Sequence, residues 1–218
     1  MERRRTASIA TVIGIAIALG WPFLFFWQGS KSIGSASQDV GTIVKEWAFT
    51  LLVLAIVLLW ERRPLSSLGL RLPNWMDLGA MLVAGVGTLV VAGTAAALTE
   101  QGGHVLHDVN ALLALPFALR LGIALTAGIC EETLTRGFAT ERLLEIFGKP
   151  WIAFLIVALA FGLAHIPRYG LNASLLVPTV TGAGLTLLYL WRRNLVVCII
   201  LHSAIDAMSL LLGPAGHA

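Results

Sequence analysis

Long uninterrupted apolar stretches constrain this chain more than any other feature. A helix needs about 20 apolar residues to cross a bilayer, and seven blocks approach that length: 7–27, 43–60, 78–98, 118–137, 151–165, 174–191 and 195–212. Only 12% of the 218 residues are charged, about half the roughly 25% usual in soluble domains. The sequence therefore predicts an all-α, polytopic membrane bundle of about seven transmembrane helices.

The lysines and arginines between these blocks predict the orientation. If the N-terminus is cytoplasmic, eleven of them fall in inner segments and three in outer segments, the bias of the positive-inside rule. The inner residues are Arg3, Arg4, Arg5, Arg62, Arg63, Arg71, Arg136, Arg142, Lys149, Arg192 and Arg193, and the outer ones are Lys31, Lys45 and Arg168. We expect one membrane domain, residues 1–218, because no repeat or long linker divides the chain.

Ionisable residues inside the spans indicate a site, because each costs roughly 2.5–3.5 kcal/mol to insert. They occur in three strings: EETLTR at 131–136, FGLAH at 161–165 and HSAID at 202–206. Glu132 and Arg136 are four residues apart with the acid first, which favours an ion pair on a helix. Glu131 lies about 100° further round the helix, so its carboxylate stays available as a base.

A helical hairpin would bring two of these strings together. Glu131 and His165 are 34 residues apart, and their midpoint is Gly148, in the breaker string GKP at 148–150. A turn there places both side chains at one height on facing helices, with residues 137–147 as a cytoplasmic extension of the fourth helix.

The last helix carries the third string. His202 and Asp206 are four residues apart and therefore share a helix face. At 1.5 Å per residue, Glu131 and His202 lie about 9 Å and about 10 Å from the inner boundary. We expect Glu131, His165 and His202 to surround one cavity that opens toward the cytoplasm, with Asp206 beside His202.

Less specific interpretations of these residues exist. Polar side chains in spans also hold helices together by hydrogen bonds, but five ionisable groups at matching depth on three helices favour a catalytic site. Cys130 beside Glu131 could be a nucleophile, although free cysteine is usually a small buried hydrophobe. His104, His107 and Asp108 lie in an outer loop without a second cluster, which disfavours a metal site there.

The three strings together resemble the CPBP family of intramembrane proteases, which includes CAAX prenyl endopeptidases and bacterial bacteriocin-processing or self-immunity (Abi-type) proteins. The family motifs are a double Glu with an Arg four residues later, a Phe four residues before a His, and a His four residues before an Asn or Asp. All three occur here in order, within residues 131–206. The string RRPLSSLGLR at 62–71 also fits, so the resemblance covers about 62–212 and leaves 1–61 as two peripheral spans.

The resemblance implies a role for each matched residue. Glu131 looks like the base that activates a water, and His165 looks like the residue that assists Glu131 in this step. Glu132 and Arg136 look like a supporting ion pair, and Phe161 is a further supporting residue. The resemblance points to a metal-free site without a cofactor.

His202 and Asp206 correspond to the oxyanion-stabilising pair of the family. In the prenyl-protein enzymes the second position is Asn, which can donate a hydrogen bond, whereas an ionised Asp only accepts. Asp206 must therefore be protonated, or it orients His202. Because of this departure, cleavage of prenylated CAAX proteins is not implied.

We expect an endopeptidase that hydrolyses a peptide bond of a membrane-associated peptide or protein with a glutamate-activated water. One alternative is a non-enzymatic bacteriocin-immunity or scaffold protein; another is a zinc-dependent membrane protease, although no HExxH string occurs. A transporter is disfavoured because nothing suggests inverted repeats. The expected partners are the substrate and the bilayer, not nucleic acid. Twelve Arg against three Lys favours a GC-rich bacterial source and hence a bacterial cytoplasmic (inner) membrane.

Overall fold

The computed structural model describes residues 8–23, 36–98, 112–166, 171 and 173–212, and every regular element in these ranges is helical. The α-helices are α1 Ile9–Gly20, α2 Ala36–Ala55, α3 Trp75–Leu98, α4 Phe117–Glu132, α5 Glu141–Phe147, α6 Pro150–Leu163, α7 Leu176–Arg192 and α8 Leu195–Leu212. A π-helical stretch, Thr133–Thr140, joins α4 to α5, and another, Ile56–Trp60, extends α2. Short 3-10 turns cover Leu65–Leu68 and Ala173–Leu175.

Each predicted apolar block contains a helix, which confirms the all-helical class. The block 195–212 coincides with α8, whereas α2 begins at Ala36, seven residues before the block 43–60. The first turns of α2 are polar and carry Asp39, a favourable charge at a helix N-terminus that hydropathy does not register.

Two helical segments are long and apolar enough to cross a bilayer. They are Ala36–Trp60, with a mean hydropathy of 2.1, and Trp75–Ala97, with a mean hydropathy of 1.9. Three more are apolar but shorter: Ile9–Phe23, Pro150–Leu163 and Leu195–Leu211. These five segments give the bundle a largely apolar outer surface, which suits a membrane-associated protein.

The predicted hairpin turns at the string GKP. Gly148 has a φ of 64° and donates its N–H to the carbonyl of Leu144 at 2.8 Å, an arrangement that ends helices and favours glycine. Pro150 begins α6, where the missing N–H costs nothing. The segment 137–147 is helical as predicted, and α5 and the π-helical stretch Thr133–Thr140 pack against α6 from this turn.

Ion pairs tie the loops together at this end of the bundle, and we call their five arginines the arginine clamp. The pairs are Arg63–Glu145, Arg71–Asp77, Arg142–Glu61, Arg192–Asp77 and Arg193–Glu141. Arg142 is fully buried and lies 2.6 Å from Glu61, so its part of the predicted extension packs inside the protein. The clamp thus joins the α2–α3 loop to α5 and to the α7–α8 turn.

Close packing holds α8 against α4. A Cβ at Gly128 on α4 would lie 2.8 Å from the backbone nitrogen of Ser203 and 3.0 Å from its Cα, so only glycine fits this crossing. Ser203 follows His202 directly. The crossing therefore holds the third motif against the helix that carries the first.

We expect Gly128→Ala to lower the free energy of unfolding by about 1–3 kcal/mol, the usual cost of overpacking. Gly122→Ala on the same helix is the matched control, because its Cβ would meet nothing nearer than Ile43 Cδ1 at 3.9 Å. The control should be neutral, or more stable by up to about 1 kcal/mol from helix propensity. Thermal unfolding in detergent measures both variants, and equal melting temperatures would contradict the close crossing.

Candidate active site

A cavity of about 220 Å³ lies among α1, α2, α4 and α6. Its polar lining consists of Thr42, Glu46, Glu131, Thr135 and His165, and its apolar lining includes Trp21 and Phe161. Glu131 and His165 therefore line the same cavity, the part of the hairpin prediction that the structure shows.

The cavity lies away from the arginine clamp. Its lining comes from the last turns of α1 and α6 and the early turns of α2, whereas the clamp lies at the opposite ends of these helices. The cavity therefore does not lie at the arginine-rich end toward which it is predicted to open, and the cytoplasmic side of that end stays a prediction. That prediction counted depth from Gly137, but the buried helix continues beyond it to Leu143, so Glu131 lies further from the clamp end.

A hydrogen bond fixes the ring of His165. Its Nδ1 lies 2.8 Å from the carbonyl oxygen of Phe161. Because a carbonyl oxygen only accepts, Nδ1 carries the hydrogen and Nε2 carries the lone pair of the neutral ring. This tautomer lets Nε2 accept a hydrogen bond from a water in the cavity.

Behind the cavity lies a buried group of Glu132, Arg136 and His202. Glu132 Oε1 accepts from Arg136 Nη1 at 2.5 Å and from His202 Nδ1 at 2.8 Å. Arg136 Nη2 also donates to the carbonyl of Gly182 on α7 at 2.7 Å. The predicted ion pair is thus present, and its hydrogen bonds join α4, α7 and α8.

Phe161 separates this buried group from the cavity. Its ring centroid is 5.1 Å from that of His165 and 6.0 Å from that of His202, and the Arg136 guanidinium lies 4.5 Å from it. A bulky residue four positions before His165 therefore supports both histidines and the arginine.

Asp206 lies beside His202, as predicted. Its Oδ2 is 3.7 Å from His202 Nε2, which is too long for a hydrogen bond but close enough for charge interaction. The described cavity lining includes Glu131 and His165 but neither His202 nor Asp206. Of the three residues predicted to surround one cavity, the structure therefore places Glu131 and His165 in the described lining and His202 outside it.

The sequence reasoning missed Glu46. This carboxylate on α2 is only 8% exposed and lines the cavity with Glu131. Its position inside the apolar block 43–60 was a signal that could have identified it. An ionisable residue within a span is costly and therefore indicates a functional role. Its neighbour Lys45 suggested an outer interface instead.

Of the other candidates, the structure describes only Cys130, which does not line the cavity. Cys130 is fully buried, and His104, His107 and Asp108 lie outside the described residues. A catalytic zinc needs three protein ligands, and within the part of the chain that the structure describes no three His, Cys, Asp or Glu side chains are arranged to hold a metal ion.

Comparison with known proteins agrees with the motifs. The family model described as type II CAAX prenyl endopeptidase Rce1-like matches residues 113–208, slightly less than half of the chain. The matched segment contains Glu131, His165, His202 and every other predicted site residue, while α1–α3 lie outside it. No curated protein and no solved structure matches the chain. The family match confirms the resemblance indicated by the three motifs.

Proposed function

We propose that this chain, which carries an Rce1-like domain over residues 113–208, is an intramembrane endopeptidase that uses a glutamate-activated water. The observation that carries the proposal is the meeting of Glu131 and His165 at one partly enclosed cavity. The substrate is a membrane-associated peptide or protein whose extended backbone enters this cavity.

The chemistry follows from the two facing groups. A water between them donates one hydrogen bond to His165 Nε2 and gives its other proton to the Glu131 carboxylate. Its oxygen attacks the scissile carbonyl carbon, which becomes a tetrahedral oxyanion. When the C–N bond breaks, Glu131 returns the proton to the leaving amine, so the carboxylate is regenerated.

His202 and Asp206 supply charge behind the reacting carbonyl. His202 uses Nδ1 toward Glu132, and Phe161 lies between it and the cavity, so His202 acts on the oxyanion through its charge rather than through a direct hydrogen bond. Glu132 and Asp206 balance the charge of a doubly protonated His202. In this arrangement Asp206 acts through His202, which explains how an Asp can stand where prenyl-protein enzymes have Asn.

The proposed setting is the inner membrane of a bacterium, with seven spans and a cytoplasmic N-terminus. The excess of arginine at the clamp end supports this orientation. The cavity then faces the half of the bilayer away from the cytoplasm, so substrates would present the scissile bond from that side.

We expect hydrolysis to need neither a metal nor a cysteine. The purified protein in proteoliposomes should cleave peptides extracted from bacterial membranes and place one ¹⁸O atom from labelled water in each new carboxyl group. Cleavage should persist in a strong chelator and in Cys130→Ala, because Cys130 is fully buried.

Three outcomes would contradict this proposal. Loss of activity in chelator that zinc restores would favour the zinc-dependent alternative. Loss in Cys130→Ala with normal folding would favour a cysteine nucleophile. No ¹⁸O incorporation with any membrane peptide would favour a non-enzymatic immunity or scaffold protein.

A further inference from the structure

Glu46 is a buried carboxylate with unused hydrogen-bonding capacity. It is 8% exposed and lines the cavity, and its buried Oε2 has no hydrogen-bond partner among the described residues. A carboxylate inside a span is costly unless it is paired. Glu46 is therefore either protonated or paired with a cation, and the described residues do not supply that cation.

The cationic side chains near the cavity already form ion pairs with other carboxylates. Arg136 and His202 both bind Glu132, and Asp206 also lies against His202. Glu46 and Glu131 face the cavity, and among the described residues no cation forms an ion pair with either carboxylate. Glu46 and Glu131 line the same cavity, so a cation that enters it can contact both carboxyl groups.

The shape of the cavity suits one long side chain. Its volume of about 220 Å³ is below the roughly 300–1,000 Å³ of most small-molecule pockets. Trp21 and Phe161 form part of an apolar wall, against which the methylene stem of a lysine or arginine can pack while its head stays polar.

We propose that Glu46 is a specificity-determining residue that binds a lysine or arginine side chain of the substrate close to the scissile bond. This inference rests on the proposed protease function for its catalytic consequence, but the binding step is independent of cleavage. Glu46 lies outside the family-matched residues 113–208, so this preference comes from the first helices of the chain.

A panel of membrane peptides tests the preference. Each peptide has one apolar segment, and lysine is scanned through the positions beside it, with norleucine in the same position as the uncharged match. Binding is measured with the Glu131→Gln protein, so cleavage is not needed. We expect lysine at one position to bind roughly 10- to 100-fold more tightly than norleucine, the range for one hydrogen bond to a charged group.

Glu46→Gln in the same background should bring the lysine-to-norleucine ratio close to one. Glu145→Gln is the matched control, because it makes the same exchange in a partly exposed glutamate of the clamp and should keep the ratio. Circular dichroism checks that both variants remain helical. If Glu46→Gln fails to fold, Glu46→Asp replaces it. The shorter aspartate side chain should reduce the lysine-to-norleucine ratio while a carboxylate remains at the site.

The outcomes separate this inference from the proposed function. If lysine peptides bind more tightly but the wild-type protein cleaves none of them, the proposed protease function is wrong and the role of Glu46 in binding stands. Equal binding of lysine and norleucine at every position, or a preference that survives Glu46→Gln, would overturn the inference while cleavage stands. Equal loss of kcat for lysine and norleucine peptides would also overturn it and make Glu46 a proton-sharing partner of Glu131.

Discussion

Replacing Glu131 by glutamine should lower the rate of peptide cleavage by about 10² to 10⁴, the usual contribution of a general base. Glutamine keeps the size of the side chain but cannot take a proton from water. The backbone carbonyl of Glu131, which accepts from Thr135 Oγ1 at 2.5 Å, is unaffected, so the helix should remain intact. The measurement is the initial cleavage rate in proteoliposomes beside thermal unfolding in detergent.

Glu145→Gln serves again as the control, since it removes a glutamate far from the cavity and should retain near wild-type cleavage. A Glu131→Gln protein that cuts at the wild-type rate would end the assignment of Glu131 as base. An inactive variant that also melts much earlier would indicate a structural role instead.

Replacing Glu132 by glutamine should act mainly on stability. Glu132 and Arg136 are both fully buried, and Glu132 Oε1 accepts from Arg136 and from His202. Leaving one partner of a buried ion pair uncompensated costs roughly 3–5 kcal/mol. We expect a lower yield of folded protein and a lower melting temperature in detergent. This fall in melting temperature should be larger than that caused by any single substitution at the cavity surface.

The double variant Glu132→Gln with Arg136→Met tests the physical reason. Removing the guanidinium removes the unpaired charge, and the carbonyl of Gly182 keeps a donor in Thr186 Oγ1 at 2.7 Å. The double variant should therefore melt above Glu132→Gln alone. A Glu132→Gln protein that is fully stable yet inactive would assign the catalytic role to the second glutamate.

Local features of the chain were sufficient to predict the helices and the hairpin. Apolar length indicated where helices lie, and Gly148 with Pro150 marked a turn through the left-handed conformation of one residue and the fixed φ of the other. Spacing of four residues likewise predicted the Glu132–Arg136 pair. Each of these features depends on neighbours within one or two turns.

Contacts between distant segments could not be predicted in this way. Arg142 meets Glu61 across 81 residues, and Glu46 reaches the cavity from a helix outside the motifs. The five arginines of the clamp were interpreted as topology signals and not as ion-pair partners, although each is ion-paired. Hydropathy also gives no sign of the π-helical stretch Thr133–Thr140, a form that is often found at functional sites.

The arginine clamp has a consequence for how the protein is made. Asp77 binds Arg192 from 115 positions earlier in the chain, and Glu61 precedes its partner Arg142 by 81. At about 5–20 residues per second, the ribosome needs roughly 4–16 s to add 81 residues. During that interval Glu61 still lacks Arg142, whereas Asp77 already has Arg71 as a partner six positions away. Because Arg192 and Arg193 also belong to the clamp, its loop contacts can be complete only after α7 has been synthesised.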